Sequence, residues 1–340
     1  MSSRIHDAKV PRRELELVPR LRDQGYDREQ IATRRRWIEE KTGATLDEIG
    51  AFPGDSEHWR GNVENPIGAA CVPLGLTGPM RVCGEHAEGI FYVPMATTEG
   101  AMLRSYERGM LTLSKAGGIS TRVVRDENRV APSFHFEDMA SAVRFATQVA
   151  QHVDDLRTAA EATTRHGKLL EVRAVPIGRD VIVDFRFSTG DASGMNMVVR
   201  AADAACRWLR EHLEAPHFHV FSGFAGEKRT SGEIMAGGKG KTVIAAARVP
   251  RKLVRLLLGV EPADIVENWR RAVLGHQRSV VIGFNAQIAN GLAAAFIALG
   301  QDVANVTNSA VGITHMELDG EDLHASLTLP SLVVGTVGGG

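Results

Sequence analysis

Between Asn285 and Leu299 the chain reads NAQIANGLAAAFIAL, apolar on every side of a helical wheel and free of charge. A helix with no polar face has to be enclosed by protein, so the rest of the chain is expected to build around it as a buried central helix. Polar groups stand only at its ends: Asn285, Gln287 and Asn290 at the start, then Gln301 and Asp302 just past Gly300, the expected terminator. Asp302 is flanked by Val303, Ala304 and Val306. A carboxylate in such surroundings titrates upward unless a cation answers it. Two readings stay open: an aspartate that caps the next turn, and an aspartate that holds a basic partner.

With 340 residues, 44% hydrophobic and 24% charged, the chain can bury a sizeable core and is expected to hold two domains. Lys plus Arg (40) nearly balances Asp plus Glu (41), so no global field favours nucleic acid or an anionic membrane, and an anionic ligand has to be met locally. The three cysteines, Cys71, Cys83 and Cys206, form no CxxC pair. An odd count of this kind points to thiols in a reducing compartment, the cytoplasm, and away from a disulfide frame or a metal site. The start is charged from Arg4 onward and no apolar run reaches the roughly 18 residues of a span, so neither signal peptide nor membrane helix is expected.

Residues 1–60 are charge-dense and read as a helical lead-in, with Ile31, Trp37 and Ile38 on one face between Asp27 and Thr42. The segment ENPIGAACVPLGLTGPM, from Glu64, strings Gly and Pro through apolar residues and predicts a tight loop between strands. In FYVPMATTEGAMLRSYERG, Thr97 or Thr98 is placed to cap a helix that begins near Glu99 and turns Met102, Leu103, Tyr106 and Met110 inward. Glu99 is then either a carboxylate favoured by the helix dipole or, in apolar surroundings, a protonatable acid.

From about 119 to 222 the hydrophobic period alternates between two and 3.6: STRVVRD, a long helix from Glu137 to about Thr164, LLEVRAVPI, VIVDFRF, a helix through Val198 to Leu213, and HFHVF. That order predicts an α/β sandwich of the split βαβ, ferredoxin-like kind, inserted into a larger domain. Between its hairpin and second helix, STGDASGMNMVV, with Gly190, Gly194 and a helix expected to begin near Ser193, leaves two readings open: a plain turn into a helix, and backbone N–H groups offered to an anion. Farther on, Glu227, Lys228 and Arg229 stand side by side in a glycine-punctuated loop. GGKGKT is not a P-loop, because that motif needs glycine where this chain has Met235. DLHASLTL and SLVVGTVGGG read as a closing pair of strands.

Singly these motifs are weak. In this order, ENPIG with VPLGLTGPM, VPMATTEG, GDASGMNM, EKR, NAQIAN followed by GQD, and TLPSLVVGTVGGG resemble 3-hydroxy-3-methylglutaryl-CoA (HMG-CoA) reductase in its eukaryotic and archaeal form (class I) over Glu64 to Gly340. The resemblance implies an α+β fold, a large substrate-binding domain (61–128 and 223–340) around the central helix, and a small cofactor-binding domain (129–222). It implies Glu99 as catalytic acid, Lys228 as catalytic lysine and Asp302 as the aspartate coupling them. It implies substrate contacts from Arg129, Ser222, Glu227, Arg229, Arg271 and Asn290, and cofactor contacts from Asp191, Ser193, Gly194, Met195 and Asn196. The activity implied is reduction of HMG-CoA to mevalonate and CoA with two NADPH, NADH remaining open, in a homodimer or higher oligomer whose sites span the subunit interface.

Such chemistry needs such a set. An ammonium can stabilise the oxyanion of a thioester that receives hydride, and a carboxylic acid can deliver the proton. The chain also departs from the family. Glu227 and Arg229 stand where Asp and Lys are usual, Phe224 where Asn is usual, Gln287 for a His, and Arg271, beside Arg270, for a Lys. No residue matches the family's thiolate-protonating His, which the resemblance places in a helical tail past Gly340. A CoA-ester-binding protein without full turnover and a reductase for another acyl-CoA are the alternatives those departures leave.

Overall fold

The computed structural model describes residues 16–20 and 25–338, so the charged start of the expected helical lead-in and the last two glycines of GTVGGG lie outside the described residues. The chain divides into two compact units, Met1–Pro73 and Leu74–Gly340.

In the first unit, α1 (Arg28–Thr42) starts where Asp27 accepts from the Gln30 N–H and stops at Gly43 in the left-handed conformation. Its inward face carries Ile31 and Arg34, both fully buried. The Arg34 guanidinium donates to the carbonyls of Pro19, Gly25 and Pro66 and so ties the loops around the helix. A short α2 (Asp47–Gly50) and a 3-10 turn (Ser56–Trp59) complete this unit.

The second unit opens with a hairpin, β1 (Leu74–Gly84) and β2 (Glu88–Ala96). The segment expected as a loop therefore passes into a strand at Leu74: the alternating apolar residues pair with β2, and a register shift between Thr77 and Met80 absorbs the Gly-Pro step. Helix α3 (Met102–Lys115) begins three residues later than expected, after Ala101 with φ 63°, because the Thr97 hydroxyl takes the Glu99 N–H at 3.0 Å and closes a turn ahead of the helix. Met102 is buried, with Leu103, Tyr106 and Met110 packed around it.

Strand β3 (Ile119–Val130) is the beam of the unit. Its first part lies parallel to β1 and antiparallel to β8 (Gly240–Val249), while Asn128–Val130 pairs with β6 (Asp180–Ser188). Around β6 are β4 (Ser133–His135), β5 (Lys168–Ile177) and β7 (Phe218–His219), in the antiparallel order β5, β6, β4, β7 that a split βαβ repeat produces. The expected long helix is two, α4 (Met139–Gln151) and α5 (Val153–Glu161), broken at His152, and with α6 (Met195–His212) they cover one face of this sheet. Val181, Val183, Phe185 and Phe187 face that helical layer at period two. Each such side chain removed from water contributes about 1.5–3 kcal/mol. The intervening Asp184 and Arg186 face the other way, toward ion pairs.

After a short α7 (Gly232–Met235) and β8 come α8 (Arg251–Leu253), α9 (Pro262–Ser279), α10 (Ile288–Ala298), α11 (Val306–Ser309), β9 (Ile313–Asp319) and β10 (Asp322–Leu332). The two closing strands expected from the sequence are one strand, β10. Pro330 is accommodated where the register with β8 shifts, between Leu329 and Leu332.

The apolar central helix is α10, but it is not enclosed within one chain. Gly291, Ala294 and Phe296 are buried, whereas Ile297 and Leu299 remain 46% and 57% exposed. One chain supplies walls to only one side of a helix that is apolar all round. On the covered side Gly291 lets Tyr106 approach, since a Cβ there would meet the Tyr106 hydroxyl oxygen at 2.3 Å. That hydroxyl donates to the Gln287 carbonyl at 2.8 Å.

Candidate active site

The loop before α6 turns through Gly194, whose φ of 72° and lack of a side chain suit the left-handed start of the helix. Three successive carbonyls of this loop are tied back into the protein. Asp191 accepts from the Thr336 N–H at 2.8 Å, Ala192 from the Thr189 hydroxyl at 2.8 Å and Ser193 from the Asn128 amide at 2.6 Å. No side chain caps α6, so the N–H groups of its first turn are left for a ligand. Gln301 fixes the neighbouring wall by exchanging two hydrogen bonds with the backbone of Gly335, at 2.8 and 2.9 Å.

Across from this loop stands Lys228. Its backbone adopts φ 50°, an uncommon conformation for a residue with a side chain, and its ammonium meets the Asp302 carboxylate at 2.6 Å. Asp302 also takes the Ala304 N–H at 3.0 Å and starts the 3-10 turn Val303–Asn305. Both readings open at the sequence level hold together: the aspartate caps the turn with one oxygen and holds a base with the other. The hydrogen bond from Lys228 outweighs partial burial and keeps the Asp302 carboxyl below its ordinary range, opposite to the shift expected without a partner. The same bond raises the proton affinity of Lys228 above that of a free ammonium.

The two sides enclose one cleft of about 470 Å³, with Gly194, Asn196, Glu227, Lys228, Asp302 and Asn305 among its walls. Ser193 and Met195 also line it. Asn305 is nearly buried, and its side-chain oxygen has no partner among the described residues, which leaves an acceptor for a bound molecule.

The remaining expected site residues stand elsewhere. Glu99 is exposed and accepts from the Asn290 amide at 2.9 Å; neither lines the cleft. Arg129 is fully buried, its guanidinium forked on Asp184 at 2.9 Å with Glu233 at 3.3 Å. Phe224, the aromatic replacement in the loop, lies under both Arg129 and Arg173, with guanidinium carbons 5.2 and 5.4 Å from its ring centre. Ser222 donates to the Ala131 carbonyl at 2.6 Å, and Arg229 is exposed. Arg271 is 75% exposed on α9 and pairs with Glu267 at 2.8 Å. Among the cleft residues missed by sequence reasoning are Gln301, Asn305 and Val333, and Lys239 lies behind the wall. Gln301 and Val333 carried a signal, in GQD and in TLPSLVVGTVGGG.

The description "Hydroxymethylglutaryl-coenzyme A reductase" belongs to the family profile that matches residues 30–340. The chain belongs to that family. The 3-hydroxy-3-methylglutaryl-coenzyme A reductase of Aeropyrum pernix is 39% identical over 320 residues, covering 93% of this chain and 76% of that protein. Its counterpart in Methanocaldococcus jannaschii is 38% identical, covering 92% and 79%. Among solved structures, the class II reductase of Streptococcus pneumoniae bound to NADPH in open conformations superposes with a TM-score of 0.65 over 90% of this chain and 85% of that one. At 19% identity that likeness shows the fold, which is α+β as expected for the family.

Proposed function

We propose that this chain is an HMG-CoA reductase that converts HMG-CoA to mevalonate and CoA, with NADPH as reductant. The observation that carries this reading is the single cleft in which the Lys228–Asp302 pair faces the uncapped start of α6. The named activity of the archaeal relatives and the NADPH bound in the streptococcal structure support it.

The residues fit a dinucleotide. The carbonyls of 191–193 are turned into the protein, no side chain caps the start of α6, and the Asn305 oxygen awaits a donor. Bound NADPH would supply hydride. The rest falls to the protein: the Lys228 ammonium stabilises charge on the thioester oxygen, and Asp302 keeps that ammonium protonated. Glu99, oriented by Asn290, is the proton donor we assign. Because that pair lies outside the cleft lining, we infer a homodimer in which one subunit brings Glu99 to the Lys228 of another. The exposed apolar face of α10 and of the β1–β2 hairpin, including Leu76 and Tyr92, is the surface such a pairing would cover. We assign residues 129–222 to the cofactor side and the rest of the second unit to the substrate side. Free cysteines fit a cytoplasmic setting.

Oxidation of NADPH, and separately of NADH, in the presence of HMG-CoA tests the reading. Turnover with either is the expected result, and no turnover at any enzyme concentration overturns it. A second reading, a reductase for another acyl-CoA, is favoured by Arg129, one of the cations expected to contact substrate, which is fully buried and forked on Asp184. A thioester panel separates the two, and clear preference for HMG-CoA removes the second.

A further inference from the structure

Behind the cleft wall lies a lysine with no access to solvent. Lys239 is fully buried, and its ammonium pairs with the Glu227 carboxylate. It also donates to the Asn128 side-chain oxygen at 3.1 Å and to the Arg129 carbonyl at 3.4 Å, with the Met195 sulfur at 3.7 Å. Asn128 uses its amide to hold the Ser193 carbonyl at 2.6 Å. One cation therefore touches the loop that bears Lys228, the end of β3 and the first residue of α6. The GGKGKT string, which is no phosphate loop, is what delivers it. Gly237, Gly238 and Gly240 adopt φ of 83°, 94° and 79°, and a Cβ at Gly240 would meet the Leu332 carbonyl oxygen at 2.4 Å.

Burial works against the Lys239 ammonium and the adjacent Glu227 carboxylate favours it, so the two side chains hold each other in place behind the cleft. Lys228, next in sequence, turns the other way to Asp302 through its left-handed backbone. Two ion pairs, Lys239 with Glu227 and Lys228 with Asp302, thus serve one cleft. We propose that Lys239 is a positioning residue: it fixes Glu227 on the substrate side and, through Asn128, ties that carboxylate to the loop that receives the cofactor. The assignment rests on the reductase reading.

The test uses the full chain with K239M, K239R, E227Q and the double variant K239M/E227Q, measuring kcat, KM for HMG-CoA and NADPH affinity by fluorescence titration. K239M is expected to lose about 100-fold in kcat/KM and about tenfold in NADPH affinity, with K239R within about threefold of wild type. In the E227Q background K239M is expected to cost less than about threefold more, because the two residues act as one unit. A purely structural role would lower thermal stability and leave the folded fraction's kcat/KM and NADPH affinity unchanged, which overturns the proposal, as do losses that multiply in the double variant. Should K239M not fold, E227Q decides: weakened NADPH affinity is expected from a substitution on the substrate side, and unchanged affinity overturns the link. A wild-type protein without turnover overturns the reductase reading and this proposal together, whereas an active wild type with an insensitive K239M overturns only the role of Lys239.

Discussion

Asp302 satisfies a backbone N–H with one oxygen and an ammonium with the other, and the two duties separate on substitution. Asp302→Asn keeps an acceptor for Ala304 and removes the charge that faces Lys228. We expect kcat to fall by about 10²–10³-fold, the range for losing a charge stabiliser at an oxyanion, with a small fall in unfolding midpoint at neutral pH; steady-state kinetics and thermal melts check both. The pH dependence follows from the direction of each shift. The stability contributed by Asp302 is present above the ordinary carboxylate range and is lost as pH falls through its lowered pKa. That contributed by Lys228 is present below the ordinary ammonium value and is lost as pH rises through its raised pKa. Asp302→Asn removes the main cause of the upward shift, so the alkaline limb of kcat moves to lower pH; an unmoved limb contradicts the pairing. Asp302 was legible as a residue in need of a partner because its neighbours in sequence are apolar. Lys239 was not, because GGKG looks like a solvated loop until the carbonyl of Leu332 and the carboxylate of Glu227, both remote or indirect in sequence, close over it.

Among elements, the cofactor loop and the closing segment are held to each other by backbone. A Cβ on Gly335 would meet the Ser193 nitrogen at 2.6 Å, and Gln301 grips Gly335 from the other side. Gly335→Ala is expected to displace the loop, weakening NADPH binding about tenfold at a stability cost of about 1–3 kcal/mol, read by titration and urea melts. Tyr106→Phe removes the bond to the Gln287 carbonyl between α3 and α10, at a cost of about 0.5–1.5 kcal/mol by the same melts. The strands and helices of the 119–222 region were legible because their period changes cleanly. Element ends along the chain were not: the Thr97 turn, the break at His152 and the strand start at Leu74 depend on single hydrogen bonds and pairings that periodicity does not encode.

For the molecule as a whole, the apolar character of α10 was read correctly and its enclosure was not, since the sequence tells how apolar a helix is and not how many chains surround it. Leu76 is 64% exposed and Tyr92 60%, on the same hairpin. Replacing both with Asp should convert a dimer to a monomer by sedimentation equilibrium and abolish turnover while NADPH still binds; a monomeric wild type with full activity would refute the shared site. Ile119–Val130 is one unbroken strand that belongs to the sheets on both sides of the cleft. Twisting of one sheet against the other therefore runs through this pleated ribbon, and the irregularity in its register with β8, between Val123 and Arg125, is where the ribbon is already bent.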